Sequence, residues 1–291
     1  MNVSLSAVFR RSILVLLIAA AFHLVGKRPG LATVYPVNPN TMMGNPSQAK
    51  PDPREKDNYL MEKPHFSLSY NDSKGTPNWA SWRLTADTIG KAKRFPFYPD
   101  QTLPRGFGRI VPKDYTNDGF DRGHMCPHED RSADEEMSRA TFVMSNIIPQ
   151  AKNVNEQAWK NLEDFCRDLV MKGKTLYIVA GPAGKKGQCA DGGWHETIGT
   201  TRKVTVPSAC WKVIMVLDSG PGYDPAKVNA NTRLIAVIMP NDLSVGSAWK
   251  GYRRSVKDVE TLTGYHFFEN APHPLIDRLK EKTDDGPTTA R

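Results

Sequence analysis

Phe120-Asp121-Arg122-Gly123-His124-Met125-Cys126-Pro127 sets an acid, a guanidinium, a glycine and an imidazole on four consecutive residues. The turn signal Asn117-Asp118-Gly119 opens the stretch and Pro127 closes it. Histidine exchanges a proton near neutral pH, arginine offers paired donors to a phosphate, and glycine lets the backbone approach a ligand. Alone, the motif is short, and a single histidine is as readily a packed ring. A second block downstream changes that reading. Ser145-Asn146-Ile147-Ile148-Pro149-Gln150 is followed by Asn153, Asn155, Trp159, Glu163 and Arg167. Amides, a carboxylate and another arginine thus fall within about one strand and one helix of each other.

Working outward, Thr141–Met144 with Ile147-Ile148 reads as a buried strand ending near Pro149. Asn153-Val154-Asn155-Glu156 reads as a capped helix start, with Glu three residues after Asn. Ala158, Leu162, Phe165 and Leu169 recur at helical spacing, and Lys172-Gly173 supplies the stop. Residues 175–180, 203–206, 211–217 and 234–239 read as strands, the first capped by Gly181-Pro182. Upstream, 66–70 and 79–84 read likewise. Short helices are expected over 255–263 and 274–280. Strands of mixed spacing with few long helices predict an α+β fold with a largely antiparallel sheet. Residues 91–106 place Lys91, Lys93, Arg94 and Arg105 among Phe95, Phe97 and Tyr98. Such a loop suits a phosphate backbone or a solvated surface equally.

The 291 residues are 39% hydrophobic and 24% charged, an ordinary globular composition. The formal charge is +8, but residues 1–32 hold four basic residues and no acid, which leaves +4 for the remainder. That excess is compatible with a polyanionic substrate without arguing for one. Arg10-Arg11 before the apolar run 13–25 reads as an export signal, with Gly30-Leu31-Ala32 as a cleavage site and a retained anchor as the alternative. The run is short for a span of roughly 20 residues. An exported protein, periplasmic or secreted, is therefore expected, with no stable membrane association unless this segment is retained. The expected organisation is a signal peptide (1–32), a Pro-rich flexible linker without a core (33–57), one domain (58–280) and a disordered tail (281–291). Four cysteines are compatible with two disulfides in an oxidising compartment. Of three pairings, Cys126–Cys166 with Cys189–Cys210 joins neighbouring elements. A zinc site from His124, Cys126 and His128 has no C-x-x-C to support it.

On an α-helix, Asn155 and Glu163 are separated by about 80° of rotation and about 12 Å of rise. Joint direct ligation of a small cation is strained. The economical assignment gives Asn155 direct contact with the metal and Glu163 contact through water. Magnesium, which keeps several waters, fits so sparse a set. The same residues also allow a plain helix start and an exposed Glu163–Arg167 pair.

Asp121-Arg122-Gly123-His124, the Ser145–Gln150 block, and Asn155 with Ala158-Trp159, Leu162 and Glu163 resemble the DNA/RNA non-specific endonuclease family. The resemblance runs from about Asn58 to about Asn270. It implies a ββα-metal (His-Me finger) site in a mixed αβα architecture that hydrolyses DNA and RNA to 5′-phosphate and 3′-hydroxyl ends. His124 would be the general base, Asn155 the direct ligand of Mg²⁺ (or Mn²⁺ or another divalent cation), and Glu163 its partner through water. Arg122 and Arg167 match positions that contact phosphate, and Asn146 one that supports the site, whereas Asp121 is structural. Arg94 is carried over with a one-residue slip. Cys126 stands where many relatives have alanine, and its pairing with Cys166 would make activity redox-sensitive. An inhibitor protein is a further expected partner. Phosphate contacts carry no sequence information, and the binding they provide weakens as salt rises. A silent member that binds nucleic acid without cutting is the alternative; the intact His124, Asn155 and Glu163 argue against it.

Overall fold

In chain order the strands are β1 (Tyr59–Glu62), β2 (Ser67–Asn71), β3 (Thr76–Leu84), β4 (Asp121–His124), β5 (Ile147–Gln150) and β6 (Lys174–Ala183). Then come β7 (Gly187–Gln188), β8 (Trp194–His195), β9 (Thr197–Ile198), β10 (Val204–Thr205), β11 (Ala209–Asp218), β12 (Arg233–Pro240) and β13 (Arg253–Arg254). The helices are α1 (Glu135–Thr141), α2 (Lys160–Met171), α3 (Val256–Thr263) and α4 (Leu275–Lys280). This computed structural model describes residues 38–116, 118–221 and 224–289. The export signal and cleavage site lie outside the described residues.

Seven strands form one sheet in the order β1-β2-β3-β6-β11-β12-β13, and every pairing within it is antiparallel. Period-two alternation along β11 gives the sheet two dry faces. Cys210, Ile214 and Val216 enter one core with Leu162, Phe165, Cys166 and Val170 of α2. Trp211, Val213, Met215 and Leu217 enter the other, with Val256 and Val259 of α3 and Ile276 and Leu279 of α4. Helices on both faces of an antiparallel sheet make the three-layer α+β architecture. Full burial of each such side chain contributes about 1.5–3 kcal/mol, which is why the long strands β6 and β11 form the centre. No helix among the described residues is long and apolar enough to cross a membrane.

Several expectations are corrected. Thr141–Met144 is no strand: Thr141 ends α1, and Phe142 and Met144 only bracket Tyr98 through Tyr98 N to Phe142 O (3.1 Å) and Met144 N to Tyr98 O (2.9 Å). A short apolar run does not by its period distinguish a strand from a tucked turn. α1 itself was missed, although Asp134 caps it by accepting from Met137 N at 2.8 Å. The strand from Thr175 continues through Gly181-Pro182 to Ala183.

Residues 38–57 are not a coreless linker. Met43 and Ala49 are buried in the second core, and Ser47 Oγ accepts from Trp79 Nε1 at 2.8 Å. Isolated apolar residues among prolines found a sheet face to pack on, which composition does not reveal. The tail is held too. Asp284 accepts from Arg233 Nε at 2.7 Å and pairs with Arg253 at 3.2 Å, and Thr283 bridges to Ser255.

All four cysteines are free and buried. Cys126, Cys166 and Cys210 pack as small apolar residues in the first core, while Cys189 belongs to a separate cluster and donates to Asp191 at 2.8 Å. Burial pushes the Cys126, Cys166 and Cys210 thiols up to about 12, which suppresses the thiolate needed for exchange. The intact mass under non-reducing conditions is expected to be that of four thiols, all alkylated only after unfolding. A mass lower by two hydrogens per bridge would contradict this.

Candidate active site

β4 and β5 pair antiparallel, with Arg122 opposite Pro149, Gly123 opposite Ile148 and His124 opposite Ile147. The chain then turns into the helix that leads to α2, giving a ββα unit on the first-core side of the sheet. Gly123 is required at its position: a Cβ there would lie 2.2 Å from Gln150 Oε1. Asn146, fully buried, staples the loop after the motif. Its Oδ1 accepts from Cys126 N (3.0 Å) and its Nδ2 donates to Cys126 O and Thr141 O (both 2.9 Å). Asn146 thus holds the loop from behind and does not line the cleft.

The helix does not start at a capping Asn153. Asn153 is already helical, and its side chain donates to Leu243 O at 2.7 Å instead. Val154–Trp159 is a π-helical stretch, a wide turn that alters the angular relation between Asn155 and Glu163 expected for a regular α-helix. Asn155 Nδ2 donates to Asp121 Oδ2 at 2.9 Å. An ionised carboxylate only accepts, so the amide nitrogen must face Asp121, which leaves Asn155 Oδ1 for the cleft. Asp121 therefore serves as orienter of Asn155, in line with the structural role expected of it.

The cleft has a volume of about 210 Å³ and brings together His124, Asn155, Glu163, Arg94 and Arg122. Pro127, His128, Glu129, Glu156 and Lys160 complete its wall; these the sequence reading did not single out as cleft residues. Arg122 donates to Pro112 O at 3.0 Å and lies over the Phe97 ring, while Arg94 lies over Phe142. The His124 ring packs against Phe142 at 5.0 Å and Phe97 at 5.3 Å. Its Nε2 is enclosed without a partner among the described residues, so Nδ1 is the nitrogen open to the cleft.

Burial lowers the His124 pKa from 6.5 to about 3, with Arg94 and His128 adding to the effect. The ring is therefore neutral at pH 7, with one ring nitrogen unprotonated. The same shift has a stability consequence. Between about 6.5 and about 3 the unfolded chain binds a proton at this residue that the folded chain refuses, so stability falls as pH drops through that window. Chemical denaturation at pH 7 and pH 5 is expected to show a smaller loss for His124→Gln than for wild type. Equal losses would mean that His124 titrates normally.

Glu163 borders the cleft, and its Oε1 accepts from Lys212 Nζ at 3.0 Å while its Oε2 accepts no hydrogen bond among the described residues. Burial raises the Glu163 pKa and Lys212 pulls it back down. Arg167 departs from expectation. It pairs with Asp130 (2.9 Å), Glu129 (2.7 Å) and Asp164 (2.5 Å) rather than with Glu163, and it borders a neighbouring cavity instead of the cleft. Asp130 also accepts from Trp82 Nε1 at 2.9 Å, so Arg167 braces the wall and is not a free phosphate contact. Lys212 was missed; its signal was a lone lysine at a core-facing position of an apolar strand.

A family model described as DNA/RNA non-specific endonuclease matches residues 43–273. The chain is 43% identical over 274 residues to a nuclease of Nostoc sp., covering 94% of this chain and 96% of that protein. It is 30% identical over 224 residues to the human mitochondrial nuclease EXOG, covering 75% of this chain and 57% of that longer protein. A chain in the crystal structure of the EndoG/EndoGI complex superposes with a TM-score of 0.66 at 25% identity, covering 83% of this chain and 94% of that one. The matched span contains the whole ββα unit with its histidine, asparagine and glutamate in one cleft, and the chain belongs to the DNA/RNA non-specific endonuclease family as a nucleic-acid-cleaving enzyme.

Proposed function

We propose that the protein is an exported, Mg²⁺-dependent endonuclease that hydrolyses phosphodiester bonds of both DNA and RNA, leaving 5′-phosphate and 3′-hydroxyl ends. The observation that carries this reading is the neutral His124 facing the same cleft as the oriented amide oxygen of Asn155. Asn155 Oδ1 and Glu163 Oε2 fit an oxygen-preferring cation. Among the described residues no three His, Cys, Asp or Glu side chains gather to hold an ion. A cation that keeps most of its waters, as Mg²⁺ does, suits so few protein donors. When bound, it supplies positive charge beside the phosphate and the departing 3′-oxygen.

The chain's own groups do the rest. His124 Nδ1 takes the proton of a water whose oxygen attacks phosphorus as the bond to the 3′-oxygen breaks, and the departing 3′-oxygen takes a proton from solvent water. Arg122 and Arg94 hold non-bridging phosphate oxygens through charge-assisted hydrogen bonds. None of these contacts reads a base or a sugar, which supports low sequence specificity and action on both nucleic acids. Export rests on the apolar run after Arg10-Arg11, and sequencing the mature N-terminus tests it. An inhibitor protein is proposed as a partner because the structural relative was solved as EndoG bound to EndoGI.

The deciding experiment incubates the protein with circular plasmid DNA and with single-stranded RNA, with Mg²⁺ or with chelator. Mg²⁺-dependent loss of both substrates is expected. Cleavage of one alone would remove the sugar-non-specific reading, and cleavage in chelator would remove the cation.

A further inference from the structure

Lys212 occupies a position where β11 calls for an apolar side chain. Its neighbours at two-residue spacing, Cys210 and Ile214, both enter the first core, and Lys212 itself is 1% exposed. Its ammonium lies 4.1 Å from the ring centroid of Trp159 and 5.8 Å from that of Trp82. Its ion-pair partner there is Glu163, at 3.0 Å. Burying an ammonium is costly, and a core ion pair is commonly no more stabilising than hydrophobic residues of the same volume. A methionine would fill this channel between two indoles without that cost. The charge therefore needs a reason other than packing.

The reason lies in what the ammonium touches. Glu163 borders the cleft, and the Nζ contact takes up Oε1 while Oε2 remains for the cleft. Trp159 ends the wide π-helical turn that carries Asn155, so the same ammonium sits against the segment presenting the amide oxygen. Trp82 is itself fixed by Asp130 at 2.9 Å. We propose that Lys212 is a positioning residue of the endonuclease site, holding Glu163 Oε1 so that the other carboxylate oxygen faces the same divalent cation as Asn155 Oδ1. This rests on the cation reading above and adds a residue to it from the opposite side of the first core. It acts through Glu163 and does not touch the substrate.

The test measures Mn²⁺ binding directly on the full chain without nucleic acid, by the loss of the free-ion signal in electron paramagnetic resonance. Wild type is compared with Lys212→Met, Lys212→Arg, Glu163→Gln and the Glu163→Gln/Lys212→Met double variant, with thermal unfolding alongside. Lys212→Met is expected to weaken Mn²⁺ binding by about 10–100-fold, the usual effect of removing a partner behind a ligand. Lys212→Arg should recover part of the loss, and in the Glu163→Gln background Lys212→Met should add none.

Wild-type Mn²⁺ affinity in a folded Lys212→Met overturns the inference. So does a further loss in the double variant beyond Glu163→Gln alone. If Lys212→Met does not fold, the comparison of Glu163→Gln with the double variant, which removes both charges together, still decides. Wild-type protein that binds no Mn²⁺ overturns the cation reading and this inference with it. Binding by wild type with unchanged affinity in Lys212→Met overturns this inference alone.

Discussion

His124→Ala is expected to lower turnover of plasmid DNA by about 10²–10⁴-fold, the range for removing a positioned general base. The substitution removes Nδ1, the ring nitrogen open to the cleft, and no nearby group replaces it. His128, the other imidazole in the wall, meets Ala92 O through Nε2 at 3.1 Å, and its Nδ1 is enclosed. The fold should survive. The ring contacts Phe97 and Phe142, but its Nε2 makes no hydrogen bond there, so the loss of stability should stay within about 1–2 kcal/mol. Substrate binding should be nearly unchanged, because Arg94 and Arg122 remain. Turnover near the wild-type rate would remove His124 as the base, and a collapse in thermal stability would make it a packing residue. The free protein should also show no activity loss centred at the ordinary histidine value of 6.5, because burial holds the ring neutral well below it.

Asn155→Ala is expected to be the second most damaging change and to differ from Glu163→Ala in kind. Asn155 donates its amide nitrogen to Asp121, so under the proposed function its loss takes away the direct contact with the cation, and it leaves the Asp121 carboxylate without its donor. Glu163→Ala takes away an acceptor one shell out, a change that costs about 10–100-fold in metal affinity. Magnesium titration of activity should then place the half-maximal concentration of Glu163→Ala above that of wild type but within reach of saturation. Asn155→Ala should not be restored at any practical concentration. The reverse order would exchange the roles of the two residues. Asp121→Asn is a useful companion: its amide can present an oxygen to Asn155 Nδ2, so the orientation of Asn155 should be largely kept.

Local chemistry made the catalytic hairpin legible before any coordinates. Asp121-Arg122-Gly123-His124 needs a glycine where Gln150 presses on the backbone, and the helix from Leu162 to Val170 displays its buried face as plain periodicity. The central strands were visible for the same reason, since apolar runs rich in β-branched residues have few other uses. The family and the ββα unit came from the resemblance of these motifs, which also pointed to His124, Asn155 and Glu163, the residues that the structure brings to one cleft.

What the sequence could not carry was anything decided by partners distant in the chain. Arg167 looked free to meet phosphate because its acids, Glu129 and Asp130, lie on another element. The cysteines were counted as bridges because pairing is cheap to suppose from number alone, while the packed chain leaves all four as buried free thiols and sets Cys189 in a different cluster from Cys210. Met43 and Ala49 needed a sheet face, and Asp284 needed two arginines, before either segment had a reason to be ordered. Lys212 shows the same division most sharply. Alternation along β11 marked it as facing inward, but its ion pair with Glu163 across the first core exists only because β11 and α2 pack together. Sequence by itself determined which groups can do the chemistry, since that depends on residue type and local spacing. Tertiary structure decided which of them face one cleft and which are spent holding it, since an ion pair or a buried contact depends on distance in space.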